Sequence, residues 1–170
     1  MATVYIPATL AMLQRLVADG SLAAVNGTAF ALTPALREAY AEGDDDELAE
    51  VALREAALAS LRLLAGAEHE AEHGALPPRR AVLAADVDDL TYRPDLDDAV
   101  VRLAGPVRIE DVIAAYVDNA AAEPAVAKAI EAVDAADLGD EDADLIVGDA
   151  QDHDLAWYAS QELPFLLELL

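Results

Sequence analysis

Hydrophobic and polar positions alternate over "TVYIP" near the start of the chain, with Val4 and Ile6 on one side and Thr3 and Tyr5 on the other. That period of two predicts a first strand. In "ATLAMLQRLVADG" the period lengthens to that of a helix. Thr9 stands at the N-cap position, Leu10, Leu13 and Val17 form a stripe, and Gly20 lies just past the end. "TAFALT" predicts a second short strand, and Thr33-Pro34 opens another helix that ends before Gly43. "GDDDELAEVALREAALASLRLLAG" carries the clearest helical pattern. Asp44 and Glu47 form a capping arrangement at its start, and Leu58, Leu61, Leu63 and Leu64 crowd its last turns, predicting burial nearly all round.

Residues 67–80 break the pattern with acids, histidines, two prolines and two arginines, and read as an exposed connector. Beyond them "AVLAADV" is a continuous apolar run of strand length, as an interior strand covered on both faces requires. "AVVRLAG" predicts a further strand, "RIEDVIAAYVDN" a short helix passing into a strand, and "EPAVAKAIEAVDAA" a helix with Val126, Ile130 and Val133 on one face. "DLGDEDAD" reads as an acidic loop. "LIV" and "LAWY" read as two strands of a hairpin joined by "GDAQDHD", and "SQELPFLLELL" as a closing apolar helix interrupted near Pro164. Strands and helices mix without strict β-α-β alternation. The expected architecture is one α+β domain over residues 1–170, with a mixed β-sheet and packed helices.

Charge changes this picture more than length does. Asp and Glu number 34 against 10 Lys and Arg, a formal net charge of −24. Such a chain repels phosphate backbones and anionic lipid, so direct binding to nucleic acid or to a membrane face is not expected. A basic protein surface or a divalent cation is attracted. With 55% hydrophobic residues the chain is nonetheless rich enough in apolar side chains to fold. Cysteine is absent, which removes disulfides, thiol nucleophiles and thiolate metal ligands. The start of the chain has no signal-peptide pattern and no stretch is long and apolar enough to span a bilayer, so a cytoplasmic location is expected.

The loudest chemical signal is His69-Glu70-Ala71-Glu72-His73, which matches the H-E-x-x-H pattern. On a helix, His69 and His73 fall one turn apart and can donate imidazole nitrogens to zinc, with Glu70 as general base toward metal-bound water. The neighbours argue against it. Glu68 and Glu72 flank the ligands, Gly74 and Pro77 truncate any helix, and Leu76 occupies the glycine position of the extended pattern. The segment reads as the exposed end of a helix, and no cofactor is expected. A calcium loop from Asp140 needs glycine where Leu145 stands and glutamate where Gln151 stands. In "QDHDLAWY", Asp152 or Asp154 can orient His153, and Trp157 and Tyr158 follow closely. These five residues are a candidate ligand or partner contact, set against the plainer expectation of a turn followed by a core strand carrying Trp157. Arg37 with Tyr40, and Arg79 with Arg80, are the main cationic features, expected to pair with surface carboxylates.

Four segments, "VYIPATL", "TAFALTPALREAY", "RRAVLAADV" and "DHDLAWYASQEL", together resemble a family of small actinobacterial proteins with no assigned function. The resemblance spans nearly the whole chain, implies a bacterial cytoplasmic setting and transfers no catalytic residue. It leaves "HEAEH" outside its recognisable segments. Three functional expectations follow: a non-enzymatic interaction module for a basic protein surface, a zinc-dependent hydrolase using the "HEAEH" segment, or a small-molecule-binding domain.

Overall fold

β1 (Ala2–Ala8) leads directly into α1 (Leu10–Asp19) because Thr9 holds the junction. The Thr9 side chain accepts the Met12 N–H at 3.2 Å, and Gly20, at φ 79°, closes the helix by donating to the Leu16 carbonyl at 2.8 Å. The computed structural model describes residues 2–67 and 76–170. The remaining strands are β2 (Ser21–Leu22), β3 (Thr28–Phe30), β4 (Ala81–Val87), β5 (Leu90–Tyr92), β6 (Val100–Leu103), β7 (Val107–Arg108), β8 (Val112–Val117) and β9 (Ala156–Ala159). With β1, six of them form one sheet in the order β5-β6-β3-β1-β4-β8-β9, and β2 pairs with β7 apart from it. The α+β class is as expected. Its sheet, however, is antiparallel at every described pairing where a mixed one was expected.

β4 runs between β1 and β8, and its Ala81–Ala85 segment is buried, as the continuous apolar run requires. One sheet face, with Val4, Ile6, Leu83 and Val117, packs on α1 and on α6 (Leu163–Glu168). Pro164 sits in the first turn of α6, where its missing N–H costs nothing, so it starts that helix instead of interrupting it. The other face, with Phe30, Val82 and Val100, packs on α3 (Asp45–Ala67), which follows the short α2 (Pro34–Ala39), through Leu48, Ala52 and Ala56. In this i, i+4, i+8 stripe the two alanines let the helix approach the strands. Ser60, fully buried on the next turn, donates to the Ala8 carbonyl at 2.7 Å and accepts the Ala81 N–H at 3.0 Å, fixing α3 to two neighbouring strands.

The leucines ending α3 divide between two cores. Leu63 packs with the α1 cluster, whereas Leu61, Leu58 and Leu64 meet α4 (Glu123–Asp137) and α5 (Glu141–Gln151). Of the four leucines only Leu61 is fully buried. α5 overturns the expected acidic loop and "LIV" strand. Asp140 caps the helix by accepting the Ala143 N–H at 2.9 Å, and Glu141, Asp142 and Asp144 occupy its first turn. Ala143, Val147 and Ala150 then fall inward at helical spacing. A short apolar run looks like a strand only while its members are assumed to share a fate; here Val147 faces the core and Leu145 faces solvent.

Candidate functional site

Asp118 follows β8 and Arg80 precedes β4, so the antiparallel pairing of Ala81 with Val117 places them side by side. Arg80 is 1% exposed and Asp118 is fully buried. Arg80 Nε donates to Asp118 Oδ2 at 2.9 Å, Nη2 to Oδ1 at 2.7 Å, and the Arg80 backbone N–H to Oδ2 at 2.8 Å. The two-pronged pairing neutralises both charges and satisfies most of their hydrogen-bonding capacity inside the protein. The guanidinium also reaches α5: Nη1 donates to Gln151 Oε1 at 2.7 Å and Nη2 to the His153 carbonyl at 2.8 Å. The expected surface pairing of Arg80 is therefore corrected to a buried one. Residues 76–79 are half-buried, so this end of the expected exposed connector belongs to the fold.

Three more arginines bind the same helical pair. Arg79 pairs with Glu123 at the start of α4 at 2.8 Å, and Arg62 of α3 grips Asp137 at its end through two bonds of 3.0 and 2.9 Å. Arg54 donates to the Gln151 carbonyl at 3.4 Å and accepts from the Gln151 amide through its own carbonyl at 3.2 Å. Next to this region, burial pushes the Glu55 carboxyl above its ordinary value and Asp97 adds to the shift, with Arg62 and Arg54 opposing it. The folded chain thus binds the Glu55 proton more tightly than the unfolded chain. Its stabilisation is present below the unfolded value and is lost as pH rises through the folded one. Glu55→Gln is expected to raise the urea midpoint at neutral pH relative to the parent, by more than it does in acid below the glutamate range. A parent–variant difference independent of pH contradicts this.

The outward face of the pair is different in kind. Leu138 is 89% and Leu145 70% exposed, and Ile146 is also exposed. Around them stand Asp134, Asp140, Glu141, Asp142, Asp144 and Asp149, all exposed. No lysine or arginine follows Lys128, whereas twelve carboxylates do. None of these six carboxylates forms an ion pair among the described residues, so this face combines uncovered apolar groups with unpaired negative charge.

The residues singled out from "QDHDLAWY" do not converge on one point. His153 is half-buried beside Arg80, Arg54 and Gln151 in a cleft of about 60 Å³, far below the roughly 300–1,000 Å³ of ordinary small-molecule sites. Asp154 lines that cleft, and Asp152 is exposed at the end of α5. Trp157 does not lie in the core: β9 is an edge strand, and Trp157, opposite Tyr116, is 57% exposed. Tyr158 points to the other face and is half-buried against the α1 side. His69, Glu70 and His73 lie outside the described residues. Among the described residues no three His, Asp or Glu side chains are grouped to hold a metal ion, and Asp140–Asp144 form a helix cap and first turn in place of a calcium loop. No helix among them is long and apolar enough to cross a membrane.

The family of unknown function DUF6912 matches residues 2–167, nearly the whole chain. The chain belongs to this family. The match spans the arginine anchors, the α4–α5 pair and β9 together, so the outward face is part of the family's matched region. No curated protein matches the chain. No solved structure matches it.

The buried role of Arg80 and Asp118 had no distinct signal in sequence, because two arginines beside a strand do not show which enters the core. The acidic–apolar face did have one: the absence of basic residues after Lys128 and the run of acids from Asp140 to Asp144 just before Leu145.

Proposed function

We propose that the chain is a non-enzymatic, cytoplasmic interaction module whose α4–α5 face docks on a basic protein surface. The observation that carries this reading is the exposure of Leu138, Leu145 and Ile146 beside six exposed carboxylates that form no ion pair among the described residues. Apolar side chains supply the desolvated centre of an interface, while surrounding charge steers the encounter and selects a complementary partner. The arginine anchors hold the face in place before binding, which limits the ordering cost of association. The resemblance to small actinobacterial proteins supports the bacterial cytoplasmic setting.

Affinity capture from lysate, at about 0.1 M and about 1 M salt, tests the reading, because screening shortens from about 10 Å to about 3 Å over that range. The parent is expected to retain a basic protein at low salt and release it at high salt. Leu138→Ala/Leu145→Ala, folded by circular dichroism, is expected to lose that protein at both. A capture pattern insensitive to salt, or shared by parent and variant, overturns the proposal.

A further inference from the structure

A second cleft, on elements other than α4 and α5, lies where the first turns of α3 approach β1 and β5. Its volume is about 400 Å³, within the range of small-molecule sites, and Thr3, Tyr5, Leu32, Asp45, Asp46 and Tyr92 are among its walls. An adjoining hollow of about 190 Å³ is walled by Pro34, Pro94 and Val100, and Tyr92 lines both spaces. Tyr92 is 51% exposed, so its ring is open to a ligand in either space.

The polar groups of the two spaces are unequal. In the hollow, the Thr33 hydroxyl donates to the Asp98 carbonyl and accepts the Leu36 N–H, so it is already engaged; apart from Thr33, Asp98 and Tyr92 the walls are apolar. In the larger cleft, Asp45 is paired with Arg37, and Thr3 donates to Asp86 at 2.9 Å. Asp46 has no hydrogen-bond or ion-pair partner among the described residues, and neither do the hydroxyls of Tyr5 and Tyr92. Burial, with Tyr116 and Asp46 nearby, raises the Tyr5 phenol above its ordinary value, so it remains a neutral donor. One end of the combined space thus offers an uncompensated carboxylate beside tyrosines, and the other offers proline and valine.

We infer that this cleft binds a small amphipathic organic cation, a protonated amine on a short apolar tail. The ammonium group sits by Asp46, where carboxylate charge and the electron-rich tyrosine faces both favour a cation, and the tail enters the hollow past Tyr92. The site shares no element with the α4–α5 face and does not rest on the reading of that face.

The test is titration of the ¹⁵N-labelled full chain with 2-phenylethylamine, and with 2-phenylethanol and phenylacetate as neutral and anionic counterparts. The amine is expected to give saturable shifts centred on Tyr5, Leu32, Ala49 and Tyr92. The alcohol is expected to bind about five-fold more weakly, and phenylacetate not at all. Asp46→Asn, an exposed change in the first turn of α3, is expected to remove the amine's advantage over the alcohol. Tyr92→Leu, which keeps an apolar strand residue, is expected to weaken the amine by a similar factor. Equal binding of amine and alcohol, shifts spread over the acidic surface, or no saturable shift overturns the inference.

Discussion

Arg80→Met is expected to destabilise the protein by about 3–5 kcal/mol, the usual cost of leaving one member of a buried ion pair alone. Asp118 accepts three hydrogen bonds from Arg80 and is fully buried, so the substitution strands a carboxylate that water does not reach. Methionine preserves the backbone N–H bond to Asp118 but supplies none of the side-chain donors. Gln151 Oε1 and the His153 carbonyl also lose the Arg80 donors, which loosens the end of α5. Urea unfolding at neutral pH measures the effect. Arg80→Met/Asp118→Leu removes both charges and is expected to recover a large part of the loss, because a buried pair exchanged for apolar groups is often nearly neutral. A cost for Arg80→Met below about 1 kcal/mol would contradict the burial of an isolated charge described above.

The contrast with exposed pairs explains why this site was hard to read. Arg79 and Arg80 are adjacent and identical in sequence, yet one is half-buried against Glu123 and the other is enclosed with Asp118. The distinction arises from strand register: Ala81 pairs with Val117, so the residues just outside that pair meet. Register between distant strands is a tertiary property, and local pattern does not contain it. By contrast, β1, α1, α3 and β4 were legible because their signals are local. A capping threonine, a terminal glycine, an acidic capping arrangement at Asp44 and Glu47 and a continuous apolar run each have one physical interpretation in context.

α5 marks the boundary between the two cases. Its cap and acidic first turn were visible as an acidic run, and Ala143, Val147 and Ala150 do have helical spacing. Leu145 and Ile146 hid that spacing by adding exposed apolar residues beside an inward one. Trp157 misled for a related reason: a large aromatic residue was expected to fill the core, but β9 is the sheet edge. At both places the apolar residue is present where packing does not need it. Such departures from binary patterning are expected where a surface has work beyond folding, which is why the α5 departure supports a docking role.

Leu61→Ala is expected to cost about 2–5 kcal/mol and to act unevenly across the molecule. Leu61 is α3's fully buried side chain in the cluster formed with Val126, Ala129, Val133 and Val147. The buried alanines and valines around it are short and stiff and cannot swing inward to refill the space, and Leu58 and Leu64 are tethered on the same helix, so part of the cavity persists. Loss of that contact weakens the seat of α4 and α5 on α3 while leaving the Leu48, Ala52 and Ala56 contacts with the sheet in place. Hydrogen exchange on the folded variant is therefore expected to show greater loss of protection in α4 and α5 than in β1 and β4. If the α4–α5 face is the docking surface, salt-sensitive capture weakens along with that protection, even though Leu61 itself never reaches the surface. Uniform loss of protection across the sheet and helices would show that α4 and α5 do not open separately, and that the face draws its rigidity from the whole fold instead of from its seat on Leu61.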